Sequence, residues 1–177
     1  MDFSVYIRPL TPNDAKIAYK WRNNPKIWEY TKGRPTQYIT EEIERKWIEN
    51  CLKKDDEYRF AICLQKTDQY IGNIQLLQVK DGNANMHLFI GEERFWGKGI
   101  AKSAIKLVFQ FGFLNLGLQC INLDYNKDNL AAMTVYKKLG FQEAGLTDYG
   151  FTRMFITRMV YDGMEFATNF VQQVFGT

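Results

Sequence analysis

The sequence is poor in histidine and cysteine, and it has no long hydrophobic run. The single histidine, His87, excludes a metal site built from several imidazoles, and no metal is expected. Cys51, Cys63 and Cys120 are widely spaced and form no CxxC pair, which favours a reducing cytoplasm. Neither a transmembrane helix nor a secretory signal is predicted, because the apolar runs are too short. We therefore expect a cytoplasmic protein that does not bind membranes.

Charge and length narrow the class of protein further. The 177 residues include 23 Lys and Arg against 20 Asp and Glu, a net charge of +3, and the basic residues are dispersed. This balance argues against a nucleic-acid partner and slightly favours an anionic small molecule. The chain has the length and composition of one globular domain, so residues 1–177 are expected to form a single domain.

The periodicity of the apolar residues predicts an alternating order of strands and helices. Period-two alternation predicts strands at 58–65, 70–79 and 84–90, with Asp81-Gly82 as a hairpin turn. Other predicted strands lie at 6–9, 119–125, 153–161 and 164–173, the last two around Asp162-Gly163. Helices are predicted at 12–22, 101–117 and 130–139. A further helix is predicted to begin after Thr40 as its cap, with Ile43, Trp47, Ile48 and Cys51 on one face. The expected fold is α/β (α+β), a mixed and largely antiparallel sheet of about seven strands flanked by about four helices.

A glycine-rich segment, residues 92–101, joins a predicted strand to the longest predicted helix. Small residues there allow a ligand to approach the backbone closely, and a helix N-terminus attracts phosphate. The P-loop pattern fails because Lys98 is followed by Gly99, and the dinucleotide pattern fails because Lys102 stands at its last position. The remaining interpretations are a pyrophosphate-binding loop and a turn that only starts a helix.

A second segment, residues 126–141, decides between these interpretations. It reads Asn-Lys-Asp-Asn-Leu-Ala-Ala-Met-Thr-Val-Tyr-Lys-Lys-Leu-Gly-Phe, and together with the glycine-rich segment it resembles the GNAT superfamily of acyl-CoA-dependent N-acyltransferases. The phosphate loop of that family, [Q/R]-x-x-G-x-[G/A], fits best with Gly99 and Ala101 at its fourth and sixth positions, and Trp96 then departs from the Gln or Arg of the first position. Tryptophan there is similar to the subgroup of ribosomal-protein N-terminal, polyamine and amino-sugar acetyltransferases. A second register, with Arg94, Gly97 and Gly99, keeps the arginine but misplaces Ile100 and Ala101.

The resemblance implies an acetyl-CoA cosubstrate and a set of residues that contact it. The backbone from Gly97 to Lys102 would hold the pyrophosphate, and the end of the preceding strand would pair with the pantetheine arm and face the thioester. Asn129 matches an asparagine that contacts the coenzyme, and Tyr136 matches a tyrosine that protonates the departing thiolate. The complete expected coenzyme set is Phe89, Ile90, Gly91, Trp96, Gly97, Lys98, Gly99, Ile100, Ala101, Lys102 and Asn129.

Direct attack of an amine on a thioester needs no covalent nucleophile, but the ammonium must first lose a proton. Asp124 is the candidate base, because some members of the family use a carboxylate at this position. The alternative is a structural aspartate bonded to the backbone. Glu92 and Glu93 are other candidates, although solvated turn charges explain them as well.

The acceptor is expected to be a primary amine: a small amine, an amino sugar that can be nucleotide-linked, or a protein N-terminus. Trp28, Glu29, Tyr30 and His87 are the candidate acceptor-binding residues, with Tyr38 nearby; ordinary packing of the 23–39 loop explains its aromatic residues equally well. A non-catalytic acyl-CoA-binding module is the alternative function. An oligomer is possible, and the sequence does not specify its size.

Overall fold

The sheet has one parallel contact at its centre and antiparallel contacts on both sides of it. The structure is a computed structural model that describes residues 3–31 and 33–164. Within these residues seven strands pair in the order β1-β2-β3-β4-β5-β7-β6, and only β4 and β5 run parallel. The strands are β1 Val5–Pro9, β2 Tyr58–Leu64, β3 Tyr70–Lys80, β4 Asn83–Ile90, β5 Cys120–Tyr125, β6 Gln142–Leu146 and β7 Thr152–Thr157. The predicted mixed, largely antiparallel sheet is thus confirmed.

Helices cover both faces of this sheet. The α-helices are α1 Ala15–Arg22, α2 Glu41–Cys51, α3 Ile100–Phe109 and α4 Leu130–Lys138; α3 continues as a π-helical segment, Gln110–Asn115, and residues 158–164 are also helical. Side chains of α1 and α2 pack on one face around Ala61 and Cys63. Side chains of α3 pack on the other face around Phe60 and Ile62. Because helices lie on both sides, β2 is buried on both of its faces.

Local signals place the ends of several elements as the sequence predicts. The Thr40 side chain accepts a hydrogen bond from the Ile43 amide at 3.2 Å and so caps α2. Asp81 and Gly82 both have positive φ, 49° and 75°, as expected for the tight turn between β3 and β4. Gly117, with φ +66°, follows the π-helical end of α3.

Other predictions need correction. Asp162-Gly163 is not a hairpin, because residues 158–164 form a helix in which Arg158 binds the Asp162 carboxylate one turn later, at 2.7 Å. Of the strand predicted at 153–161, residues 153–157 belong to β7, and the strand predicted at 164–173 lies outside the described residues except for helical residue 164. Ile43 is 40% exposed, and its place in the buried row is taken by Glu44, which is 2% exposed.

Candidate active site

β4 and β5 separate towards their carboxyl ends. They pair only over residues 83–85 and 120–122. Beyond that point β4 stays with β3 as far as Ile90, whereas β5 stays with β7 as far as Tyr125. The gap between residues 86–90 and residues 123–125, here named the wedge, therefore has backbone groups on both walls that no neighbouring strand uses.

The loop from β4 to α3 brings bare amide groups to the end of the wedge. Gly97 and Gly99 adopt left-handed conformations, with φ of +69° and +78°, and a Cβ at either position would meet no atom within 4 Å. Backbone conformation rather than crowding thus requires glycine at both sites. No side chain caps the first turn of α3, so the amides of Ile100, Ala101 and Lys102 have no partner within the helix. Open space beside these donors, at the positive end of a helix, fits a diphosphate.

Two tryptophans hold the end of β4. The Trp21 ring lies so close to Gly91 that a Cβ there would overlap it, and the Trp21 indole donates to Glu92 Oε1 at 3.2 Å. From the other side, the Trp96 indole donates to the carbonyl oxygen of Ile90 at 2.8 Å. The strand end is therefore fixed by one side chain from α1 and by one from the loop that follows β4.

At this strand end, one backbone N–H group is hydrogen-bonded within the sheet and the preceding one points into the wedge. The Gly91 amide donates to Ile71 O at 2.8 Å, so it is used within the sheet. Successive amides of a strand point to opposite sides, which directs the Ile90 N–H into the wedge. Of the predicted trio Phe89, Ile90 and Gly91, Ile90 presents its amide to the gap, while its carbonyl already accepts from Trp96.

Tyr136 lies on α4 beside the end of β5. Its ring makes edge contacts with Tyr125, at 5.9 Å between centroids, and with Phe141, at 5.7 Å. Burial raises the pKa of Tyr136 to about 12, so the phenol stays protonated at neutral pH. Burial is the cause of this shift, and no side-chain hydrogen bond from the described residues contributes to it. A neutral phenol in this position can donate a hydrogen bond to a ligand.

Asn129 has a structural role as well as a predicted ligand role. Its Oδ1 accepts from the Ala132 amide at 3.0 Å, which makes Asn129 the N-cap of α4. The oxygen is therefore engaged, and the side-chain nitrogen is the group that remains to donate to a ligand.

Asp124 is bound by two side chains from the neighbouring β7 region. The Arg153 guanidinium donates two hydrogen bonds to the Asp124 carboxylate, at 2.8 and 2.9 Å. The Tyr149 hydroxyl donates a third, at 2.9 Å. The Arg153 guanidinium is the main cause that lowers the pKa of Asp124. A carboxylate of low pKa is ionised but weakly basic, so these contacts weigh against the predicted base. The role of Asp124 stays a prediction.

His87 lies on the same face of the sheet as Asp124. The parallel register aligns Asn85 with Asn122, and two residues further along each strand are His87 and Asp124. Desolvation is the main cause that lowers the pKa of His87; the Arg59 charge adds to it and the Asp124 carboxylate opposes it. The imidazole is therefore neutral near pH 7 and able to accept a proton.

Comparisons with known proteins decide the family. Residues 4–142 match the family described as Acetyltransferase (GNAT) domain. The chain is a GNAT acetyltransferase. The probable N-acetyltransferase YjcK of Bacillus subtilis is 33% identical to it over 151 residues, which cover 81% of this chain and 83% of that protein. The spermidine N(1)-acetyltransferase of Escherichia coli strain K12 is 29% identical over 144 residues, covering 80% and 75%.

Solved structures share the fold of this GNAT acetyltransferase. A spermidine N-acetyltransferase of Vibrio cholerae, in complex with CoA and spermine, has a TM-score of 0.80 at 23% identity, covering 90% of this chain and 99% of that one. The aminoglycoside acetyltransferase AAC(6')-Ib, in complex with coenzyme A, has a TM-score of 0.77 at 22% identity, covering 92% and 99%. These structures show the shared fold, and the family match with the named relatives confirms the expected acetyl-CoA-dependent acetyltransferase activity.

The 23–39 segment of the GNAT acetyltransferase reaches the wedge from the α1 side. Trp28 packs against Phe89, with ring centroids 6.1 Å apart, and its indole donates to Trp21 O at 3.1 Å. Lys26 forms an ion pair with Glu93 at 2.8 Å, which ties this segment to the loop after β4. Trp28 thus joins the site, whereas Glu29 and Tyr30 are exposed.

The described part of the acetyltransferase contains neither a cluster of metal ligands nor a membrane-spanning helix. No three side chains of His, Cys, Asp or Glu there form a cluster able to hold a metal ion. No helix among the same residues is long and apolar enough to span a bilayer.

Proposed function

We propose that this acetyltransferase moves the acetyl group of acetyl-CoA to a primary amine by direct attack. The observation that carries the proposal is the wedge itself, which opens beside the uncapped N-terminus of α3. The wedge offers unused backbone groups to an extended pantetheine arm, and the N-terminus of α3 offers its amides to a diphosphate. The two features lie next to each other, as the two ends of one coenzyme require.

The coenzyme contacts follow from these groups. The amides from Gly97 to Lys102 bind the diphosphate, and the exposed ammonium groups of Lys98 and Lys102 add positive charge. Ile90 N–H points towards the thioester carbonyl, whose oxygen gains negative charge during attack. Trp96 covers the strand end, and Asn129 donates from its side-chain nitrogen.

Tyr136 stabilises the departing thiolate by donating a hydrogen bond. The pKa of its phenol, about 12, keeps the proton available throughout the neutral range. Since a thiol has a reference pKa of about 8.5, complete transfer from the phenol is uphill, and the hydrogen bond carries most of the effect. The sulfur leaves as the amine nitrogen forms its bond to the acetyl carbon.

The proton of the attacking ammonium goes to a group on the α1/α2 side of the wedge. Asp124 remains one proposed base, and it would act while bound to Arg153. His87 is the competing base, because it is neutral and lies on the same face. The pH dependence of the Asp124 and His87 variants separates the two.

The acceptor class is supported by the relatives only in broad terms. Their names include spermidine and aminoglycoside acetyltransferases, so small amines and amino sugars lead the proposal, and a protein N-terminus is the third acceptor. One structural neighbour from Vibrio cholerae is described as dodecameric, and we propose that this chain also forms an oligomer. The proposed location is the cytoplasm.

A thiol-release assay with a panel of primary amines tests the proposal. Acetyl-CoA should release free thiol only when an amine is present, and Tyr136→Phe should slow the release while still binding the coenzyme. One contact favours the alternative of a non-catalytic module, since the Trp96 indole occupies the Ile90 carbonyl. Tight coenzyme binding without thiol release for any amine, amino sugar or peptide would support that alternative.

A further inference from the structure

A cavity of about 320 Å³ lies in the segment that joins α1 to α2. It is lined by Arg22, Asn23 and residues 34–38. Asn23 closes the base of this segment: its side-chain nitrogen donates to Tyr19 O and Ile39 O, and its side-chain oxygen accepts from the Ile39 amide. These hydrogen bonds therefore hold the two ends of the segment together beside the cavity, while most of residues 34–38 are exposed.

The lining of this cavity is cationic and rich in donors. It contains two guanidinium groups, from Arg22 and Arg34, the hydroxyls of Thr36 and Tyr38 and the amide of Gln37, and no carboxylate. Guanidinium and hydroxyl groups are the partners that phosphate oxygens take. An ammonium ion would find no opposite charge among these lining residues.

Arg22 is positioned but incompletely satisfied. Its guanidinium stacks over the rings of Trp28, at 5.0 Å, and Trp47, at 5.2 Å. The Glu44 carboxylate lies 3.5 Å from Arg22 Nε, yet this nitrogen is buried without a hydrogen bond in the described part of the chain. Burial raises the pKa of Glu44, and the neighbouring charge of Arg22 opposes this shift. The cation is thus held in place by the two rings and by the charge of Glu44, and because Nε is buried, a ligand in the cavity could contact only the other two guanidinium nitrogens.

Trp28 connects Arg22, which lines the cavity, with the end of β4, although Trp28 itself is not a lining residue. Trp28 contacts Arg22 on one side and Phe89, near the end of β4, on the other. A molecule whose anionic group enters the cavity can therefore extend past Trp28 towards the wedge. Its amine must be separated from the anionic group by several bonds to reach both places.

Two acidic groups near the wedge are paired with cations, whereas Glu29, on the same segment as Trp28, is exposed and has no ion pair within the described residues. Glu93 binds Lys26 at 2.8 Å, and Asp124 binds Arg153 at 2.8 Å. Glu57 lies further along the same face and binds Arg59 at 2.6 Å. A polyamine would have to compete with Lys26 or Arg153 for these carboxylates, whereas an anionic acceptor would meet the guanidinium groups of Arg22, which Glu44 partly neutralises, and of Arg34.

We propose that the acceptor is an amine that also carries a phosphate group, as in a sugar phosphate or a nucleotide-linked amino sugar, and that Arg22 and Arg34 bind this phosphate. The inference rests on the proposed function, and it names the acceptor class of the same site. It also places the phosphate of the acceptor on the α1/α2 side of the sheet, away from the diphosphate of the coenzyme at α3.

Matched pairs of amines test the inference in the thiol-release assay. The probes are ethanolamine with phosphoethanolamine, glucosamine with glucosamine 6-phosphate and with UDP-glucosamine, and spermidine. We expect kcat/KM to be at least about tenfold higher for a phosphorylated member than for its neutral partner. A preference for glucosamine 6-phosphate or for UDP-glucosamine separates a phosphomonoester from a nucleotide diphosphate.

Arg34→Gln supplies the matched variant, because Arg34 is exposed and its loss should not disturb the core. We expect KM for the phosphorylated member to rise about tenfold, so that the preference within each pair disappears. Lys46→Gln removes one positive charge from α2 outside the cavity, where Lys46 pairs with Glu42, and should keep wild-type kinetics.

Several results would overturn the inference. Spermidine as the best acceptor, or the same KM for phosphorylated amines in Arg34→Gln and wild type, would refute the phosphate site. If neutral or cationic amines release thiol without any preference for phosphate, this inference alone is wrong. If no amine releases thiol although coenzyme A binds, the proposed function is wrong as well.

Discussion

Replacing Gly99 by alanine should weaken coenzyme binding more than it weakens the fold. Gly99 has φ +78° and precedes the first residue of α3, and the space beside its Cα is open. An added methyl group therefore has room in the free protein. The same space is where the proposed diphosphate meets the amides of the loop, so the methyl group competes with the ligand.

The cost to the fold comes from the backbone conformation. A left-handed residue with a Cβ costs about 1–2 kcal/mol relative to glycine. For a protein of this length, 1 kcal/mol lowers Tm by about 2–4 °C. For the coenzyme we expect Kd to rise at least about tenfold, which corresponds to about 1.4 kcal/mol. Gly99→Asp should weaken binding further, because its carboxylate repels phosphate at the positive end of the helix.

Gly117→Ala is the matched control. Gly117 has φ +66° and equally open surroundings, but it follows the other end of the same helical segment. Thermal unfolding should show similar losses of Tm for the two alanine variants. Isothermal titration with coenzyme A should show a raised Kd only for Gly99→Ala. Equal Kd values for both variants and for the wild type would refute the assignment of the phosphate-binding loop.

Three further changes have distinct expected results. Tyr136→Phe should lower kcat about 10²-fold without a matching change in the Kd for acetyl-CoA, and an unchanged kcat would remove the acid role. Gly91→Ala should reduce the free energy of unfolding by about 1–3 kcal/mol in urea titrations, since its methyl group overlaps the Trp21 ring; a neutral effect would contradict the packing. The pKa of Asp124 lies below its usual 3.8, so its ion pair with Arg153 stabilises the fold above about pH 4 and is lost as the pH falls further. Asp124→Asn should therefore flatten the acid limb of the stability curve, and it should alter the pH–rate profile only if Asp124 is the base.

Local sequence signals predicted most elements of the fold because their physical causes are local. A hydroxyl at Thr40, a tight turn at Asp81-Gly82 and period-two alternation in the central strands each act within a few residues. The same holds for α3, whose buried side chains recur at helical spacing. The order of strands and helices could thus be predicted from short windows of sequence.

The predictions that were wrong or missing concern residues whose structure depends on tertiary contacts rather than on the neighbouring sequence. β6 was not predicted, because it is an edge strand with five exposed residues and therefore shows no alternation. Asp162-Gly163 resembles a hairpin turn, but its neighbours continue a helix. On α2, a glutamate takes the buried position that hydrophobicity assigns to Ile43, because Arg22 is available to Glu44.

Some residues of the candidate site could likewise be predicted from local sequence, whereas others are brought together only by the tertiary fold. Gly97 and Gly99 could be selected from the sequence, because glycines before a helix have a direct conformational meaning. The partners of Asp124 could not, since Arg153 is 29 residues away and lies opposite only through the β5–β7 register. The contact of Trp21 with Gly91 likewise depends on the tertiary fold.

The hydrogen bonds of the Asn23 side chain hold the two ends of the segment between α1 and α2 together. One amide side chain joins the last turn of α1 to Ile39, so the ends of the intervening stretch are fixed whatever that stretch contains. Exposed side chains between these ends, such as Arg34, can therefore change while the scaffold and the acyl donor stay the same. Divergence of acceptor choice would then combine changes in this stretch with changes at the acceptor-facing residues outside it, Arg22 among them.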